Sequence, residues 1–403
     1  MRRLLVVWFA WLVLMAGANL ATPLYAVYAQ RFGFSPLVLT AIFATYAIVL
    51  VPALVLFGRL SDRFGRRPIV AGGLATACVG LALFAAAQGE AWLFAARAVQ
   101  GLAVGMISGA ATAALVELDP HGSRRRAALG AGLAQAGGSA VGPLVAGVLA
   151  TWAPYPLRLP YLGALGCTLV AAGAVLRLPE RGDESREPWR PQWPRVPAEI
   201  RRPFLRVGLT AGAVWAAMAL FLSIVPSYAE QILATTDLAL VALLAALALL
   251  ASFVAQAVVE RREGSHRRDQ ALGCVLLALG LGGLVAAAPT GSIALLAAGG
   301  IVAGVGHGTA FLTAQQELNE LAPDERRGEV TAAFIACIYF LVASFVIASG
   351  VLGSLFSLDA SAEAVGSVLI AVALGAAAWQ AATRRAGAPR HRAAAPRSAA
   401  ARR

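Results

Sequence analysis

Two side chains in this 403-residue chain sit where charge and polarity are costly: Arg97 and His307, each inside a long apolar stretch. A guanidinium keeps its proton at any working pH, so Arg97 can attract an anion or set a local potential. An imidazole, with an unperturbed pKa near 6.5, can take up and release a proton. A charged group inside a membrane span is expensive and is functional by default. For Arg97 the competing reading is a side chain that snorkels to the outer interface beside Trp92. For His307 it is a structural histidine in a glycine seam of Gly304, Gly306 and Gly308. Asn19, Tyr25, Gln100, Gln135 and Tyr339 are further polar groups at depth in apolar runs. No catalytic set accompanies them. The glycines around His307 follow no strand and make no nucleotide loop, and no Gly-x-Ser-x-Gly elbow, Walker loop or metal-ligand cluster is present in the sequence. The expected chemistry is binding and proton handling without cofactor or metal, not enzymatic catalysis.

The elements that must position these groups are membrane helices. Hydrophobic residues make up 59% of the chain and charged residues 13%, against about 25% charged in a soluble domain. At about 20 residues per span, this allows about twelve spans. Apolar stretches fall at 5–28, 36–57, 69–88, 93–115, 128–150, 160–177, 207–228, 236–259, 270–288, 292–315, 330–354 and 363–382. The expected fold is an all-α membrane protein: a six-helix bundle over 1–177, a linker over 178–206, a second six-helix bundle over 207–383 and a basic tail over 384–403. The linker is rich in Pro, Arg and Glu, contains Trp189 and Trp193, and lacks the apolar periodicity of a packed domain. The tail reads as disordered and able to touch anionic lipid.

Arginine sets the sidedness. The net charge is +12 and all 33 basic residues are Arg, scattered in short segments between spans instead of gathered on one face, which argues against a nucleic-acid partner. With the N-terminus in the cytoplasm, thirty of the 33 lie on the cytoplasmic side, Arg31 and Arg158 on the other, and Arg97 within a span. That asymmetry places both termini and the linker in the cytoplasm. The N-terminal Met1-Arg-Arg and Ala16-Gly-Ala18 imitate a signal peptide, but the apolar run continues through Leu24 and Tyr25, so an uncleaved first span is expected. Cys78, Cys167, Cys274 and Cys337 each lie alone in a different apolar stretch; this spacing supports neither a disulfide framework nor a metal site, and they are read as buried small hydrophobes.

The halves repeat. Gly101-x-x-x-Gly105 followed by Glu117 and Pro120 has a counterpart in Gly304-x-x-x-Gly308 followed by Glu317 and Pro323, with glycines and prolines offset by 203. After the second span comes Gly58-Arg-Leu-Ser-Asp62-Arg63-Phe-Gly65-Arg66-Arg67, with a worn echo at Glu260-Arg261-Arg262 and Arg267-Arg268 after the eighth. Two repeated six-helix halves are the architecture of alternating-access carriers, with the substrate between them.

The Gly58 to Arg67 segment resembles the signature loop of the major facilitator superfamily of transporters, specifically its bacterial drug and metabolite efflux branch, and lies between spans two and three as that family requires. The resemblance implies that Asp62 accepts backbone N–H groups at the start of the eleventh span, near Glu329 to Ala332, where the helix dipole favours negative charge. Asp62 then latches the halves, and Arg66 and Glu117 pair. Arg97-Ala-Val-Gln100-Gly101 resembles a second family motif. Gly138-Ser-Ala-Val-Gly142-Pro143-Leu-Val-Ala146-Gly147 resembles the motif the family associates with export, although Ala146 stands where glycine is usual and Gly130 is one position out of register.

None of the 21 acidic residues falls near the middle of a span. A pump for lipophilic cations would ordinarily carry a carboxylate in its cavity, so neutral or anionic amphiphiles are expected as substrates. The function expected is a secondary active transporter, a monomer in the bacterial inner membrane, exporting such compounds against proton flux. An importer of a metabolite or sugar on the same fold, and a non-transporting membrane sensor or scaffold, are the alternatives; a cavity lined by Ala, Leu and Gly argues against sugar, and an Asp62 latch argues for a moving carrier.

Overall fold

The computed structural model describes residues 2–118, 124–179, 196–233, 237–262, 264–323 and 326–386. Most of the 178–206 linker and nearly all of the 384–403 tail lie outside the described residues. All regular structure among the described residues is helical. The first half comprises α1 (Arg2–Asn19), α2 (Tyr25–Phe32), α3 (Pro36–Phe64), α4 (Arg66–Ala85), α5 (Glu90–Leu118), α6 (Arg124–Trp152) and α7 (Leu159–Leu176). The second comprises α8 (Arg201–Leu233), α9 (Leu238–Val259), α10 (His266–Thr290), α11 (Ile293–Leu321), α12 (Arg327–Leu355) and α13 (Leu358–Ala386). Among the described residues, twelve spans are long and apolar enough to cross a bilayer.

The first span is not one helix. Residues Leu20 and Ala21 form a turn and Thr22–Leu24 a single 3-10 turn before α2 begins. Pro23 lacks the N–H that a continuous helix would use, and the carbonyls at the end of α1 lose their next-turn donors. Other boundaries follow local chemistry. Gly33, at φ 69°, closes α2 in the left-handed region that glycine tolerates. Gly65, at φ 90°, makes the sharp turn from α3 to α4. The Ser35, Asp237 and Ser292 side chains accept from the first backbone N–H groups of α3, α9 and α11.

The repeat is visible in the packing. A methyl group on Gly101 would run into the Tyr46 carbonyl and one on Gly105 into Ala53, so α5 rides directly on α3. In the second half, methyl groups on Gly304 and Gly308 would strike the Ala248 and Ser252 carbonyls, so α11 rides on α9 in the same way. Small residues spaced by four allow this backbone approach within lipid, where packing and hydrogen bonds drive helix association. One apolar core fills the second half, around Phe221, Leu249 and Leu281, and two lie in the first half. The halves meet along α6–α9 and α3–α12. At the end of the bundle away from the chain termini the meeting is tight: Gly147 of α6 abuts Leu238 and Ala242 of α9, and Gly350 of α12 abuts Thr40 of α3.

Two expectations are corrected. The helix of the seventh span begins at Arg201, inside the segment read as linker, because Arg206 has a buried acidic partner that a hydropathy reading cannot see. The cysteines are not uniformly buried: Cys274 is, Cys78 and Cys337 are half-buried, and Cys167 is exposed. Cys167 shares α7 with exposed Leu162, Leu169 and Val170, the apolar surface a span turns toward lipid.

Candidate functional site

The break in the first span makes the Arg97 site. Arg97 is 4% exposed, which rules out the snorkelling reading. Its Nη1 donates to the Ala18 carbonyl at 2.9 Å and to Gln100 Oε1 at 3.2 Å. Gln100 Nε2 donates to the Gly17 carbonyl at 3.1 Å, and Asn19 Nδ2 donates to the Met15 carbonyl at 2.9 Å and to Ser139 Oγ at 3.2 Å. The unsatisfied carbonyl end of α1 is thus capped from α5 and by Asn19. It is also the negative end of the helix dipole, where a cation is favoured. The guanidinium lies 4.7 Å from the Phe43 ring centroid, 5.3 Å from Tyr46 and 5.5 Å from Tyr25, each face attracting positive charge. Among the described residues no carboxylate pairs with Arg97; its Nε and the Tyr25 hydroxyl are buried without a hydrogen-bond partner.

The second half presents His307 from α11. His307 is 1% exposed; its Nδ1 lies 2.8 Å from Ser252 Oγ, and that hydroxyl oxygen accepts from Gln256 Nε2 at 3.3 Å. Trp215 of α8 stands edge-on at 4.7 Å between ring centroids, and Phe311 stacks at 5.7 Å. The other ring nitrogen, Nε2, is buried without a partner. On the α6 side, Gly132 leaves room for the Gln256 amide, so the cluster borders the opposite half. Between the halves Tyr46 of α3 meets Tyr339 of α12 edge-on at 6.0 Å, which carries the Arg97 neighbourhood across the interface. Gln135 is half-buried on α6.

At the end of the bundle near the chain termini lies the loop between α3 and α4. Arg66 Nε is 3.1 Å from Glu117 Oε1, Arg66 Nη1 donates to Ser61 Oγ at 2.7 Å, and Arg67 Nη1 donates to the Leu178 carbonyl at 3.0 Å. The exposed Arg63 lies over the Phe64 ring. Gly58 and Asp62 are in the last turns of α3; the Asp62 side chain lies outside the described part of the structure. In α6, methyl groups on Gly138 and Gly142 would strike the Leu12 and Ala16 carbonyls of α1, while Gly147 faces α9; Pro143 lies inside the helix.

The second half also holds a buried polar network that the sequence pattern marks only in part. Glu317 of α11 pairs with Arg206 of α8 and Arg267 of α10, and accepts from Gln270 Nε2 at 2.7 Å. Gln380 of α13 accepts from Arg206 and donates to Thr210 and Gln270. The repeat itself signals half of it, since Arg267 and Glu317 stand about one repeat after Arg66 and Glu117. Gln270 and Gln380, polar residues in apolar runs, were the remaining signal. Among the described residues no cluster of His, Cys, Asp and Glu could hold a metal ion.

The profile of the Major Facilitator Superfamily matches residues 7–348. A puromycin resistance protein of Streptomyces alboniger is 35% identical over 138 residues, covering 32% of this chain and 27% of that protein. A triacylglyceride transporter of Mycobacteroides abscessus is 35% identical over 113 residues, covering 28% of this chain and 22% of that one. The aligned stretches are therefore about a quarter of each relative's length. In fold, the chain is similar to the human organic anion transporter MFSD10, with TM-score 0.70 at 17% identity over 93% of this chain and 99% of that chain. It is similar also to a D-xylose-proton symporter, with TM-score 0.74 at 16% identity over 94% and 96% of the two chains.

Proposed function

We propose that this chain, which belongs to the Major Facilitator Superfamily, is a secondary transporter that works by alternating access and exports small neutral or anionic amphiphiles. The observation that carries the substrate class is Arg97. It is a buried, permanently charged group held by carbonyls and aromatic faces, with no paired carboxylate among the described residues. A lipophilic cation about 10 Å away, at an effective dielectric of about 20, would be repelled by roughly 1.7 kcal/mol, a discrimination of more than about tenfold. Neutral solutes pay no such cost and anions gain.

Export is supported by the Gly138 to Gly147 stretch, which packs α6 against α1, and by the resistance and lipid-transport relatives. His307 carries or relays the coupling proton in this scheme: its Nε2 is buried without a partner, in a cluster that borders the opposite half, a guanidinium keeps its proton, and Glu317 is held between two arginines. Asp62 latches the halves on the cytoplasmic side. The protein acts as a monomer in the inner membrane, both termini in the cytoplasm, because one chain supplies both halves and arginine concentrates on one side.

The experiment is transport of a compound panel in reconstituted vesicles by wild type and His307→Ala. One arm uses a pH gradient and the other a substrate gradient alone. Loss of only the pH-driven component is expected in the variant. Equal activity in both arms would remove His307 from coupling, and no transport of any compound by wild type would remove the transporter reading.

A further inference from the structure

The outer ends of the two halves share a helix cap. Asp237 is the N-cap of α9, its Oδ1 accepting from Ala239 N at 2.9 Å and Leu240 N at 3.3 Å. Thr151, in the last turn of α6 and therefore in the other half, enters the same cap: its hydroxyl lies 3.3 Å from Asp237 Oδ1, and Ala239 N also donates to Thr151 Oγ1 at 3.0 Å. One turn earlier, Gly147 supplies the space, since a methyl group there would meet Leu238 and Ala242. We infer that Thr151 and Asp237 form an outer latch, a cross-half hydrogen-bonded contact that holds the outer face closed and must part each time that face opens.

The chemistry suits a contact that is made and broken repeatedly. A buried or half-buried group stranded without a partner costs far more than a net hydrogen bond contributes. Here each partner has a fallback within its own half. The Thr151 hydroxyl has one proton to share, and the Gly147 carbonyl, 2.9 Å away in the preceding turn, accepts it when Asp237 withdraws. Ala239 N keeps Asp237 Oδ1. Opening thus gives up the cross-half contacts of Thr151 with Asp237 and Ala239 N but leaves each group one partner within its own half, so the closed face gains a net hydrogen bond while the barrier stays low. The latch lies at the opposite end of the bundle from the Asp62 loop and joins a different helix pair, α6 and α9.

The proposal rests on the halves moving relative to one another, and its test reads conformation instead of transport. In a background without the four native cysteines, spin labels are placed at Tyr155 and Phe356, both exposed at the outer end and in different halves. The inter-label distance distribution is measured by pulsed electron resonance in lipid nanodiscs. Thr151→Val keeps the shape and removes the hydroxyl; Thr151→Ser restores it. Loss of one net hydrogen bond shifts a two-state equilibrium by about fivefold, so Thr151→Val is expected to raise the long-distance fraction by about that factor and Thr151→Ser to return it. A Thr151→Val distribution that superimposes on wild type overturns the latch, even where the variant melts at a lower temperature, because a bond with only a structural role would do that. Movement of the labels in wild type across pH separates the two failures: labels that move in wild type and ignore Thr151→Val sink the latch alone, and labels fixed in every protein sink alternating access with it.

Discussion

The two halves place a repeated glutamate, Glu117 in the first and Glu317 in the second, in opposite settings. In the first half, Arg66 and Glu117 face the surface, with side-chain exposures of 23% and 38%. In the second, the counterpart Glu317 is 9% exposed; its repeat partner Arg267 is 38% exposed, but Glu317 also takes a second partner, Arg206, that is 3% exposed, and glutamines from α10 and α13 complete the ring. A pair open to water can be broken and remade at little cost. A pair withdrawn into the bundle is costly to assemble and more costly to leave half-made. One repeat thus yields a loop suited to switching in the first half and a clamp that holds α8, α10, α11 and α13 together in the second.

Removing one partner of the buried pair tests this contrast most severely. Glu317→Gln leaves Arg206 and Arg267 without their acid and is expected to destabilise the protein by about 3–5 kcal/mol, read as a large fall in melting temperature in detergent. Glu117→Gln, its surface counterpart, is expected to cost under about 1 kcal/mol. Equal losses would erase the distinction between clamp and switch.

A smaller effect is expected from crowding the helix seam of the first half. Gly142→Leu places a side chain against the Ala16 carbonyl and is expected to cost about 1–3 kcal/mol through overpacking. Transport should fail while the protein still reaches the membrane, which fractionation and a vesicle assay together resolve. Normal transport would mean that α6 and α1 need no close approach. Asp62→Asn is next: a carboxylate at a helix N-terminus contributes about 1–2 kcal/mol in favourable geometry, so the variant should shift the closed-to-open ratio by about tenfold, with substrate binding retained. Distance measurements across the end of the bundle that carries the chain termini would detect the shift; wild-type ratios and rates would exclude the latch role for Asp62.

Much of the fold is legible in the sequence because membrane spans announce themselves by length and composition alone. The Gly101 and Gly304 motifs also announce their packing, since glycines spaced by four have one principal use within a bilayer. The break at Leu20–Leu24 was hidden because an Ala- and Leu-rich run looks helical throughout, with Pro23 the sole local clue. Arg97 was marked as unusual by its depth, but its cap on the Ala18 carbonyl joins residues 79 apart, beyond any local pattern. Arg206 was assigned to the linker for the same reason in reverse. Hydropathy reads a charge as an end of a span, and only the approach of Glu317 from 111 residues away makes it an interior. Cys167 shows a third limit, since an apolar run does not say which of its faces meets lipid.

The proposed preference for neutral or anionic substrates depends most on Arg97. The direct test is the transport rate of two amphiphiles of matched size, one anionic and one cationic, in vesicles containing wild type, Arg97→Lys or Arg97→Gln. Wild type and Arg97→Lys should carry the anion at least about tenfold better than the cation, and Arg97→Gln should carry the two within about threefold of each other. A wild-type protein that carries the cation as well as the anion, or an Arg97→Gln variant that keeps the full preference, would contradict it.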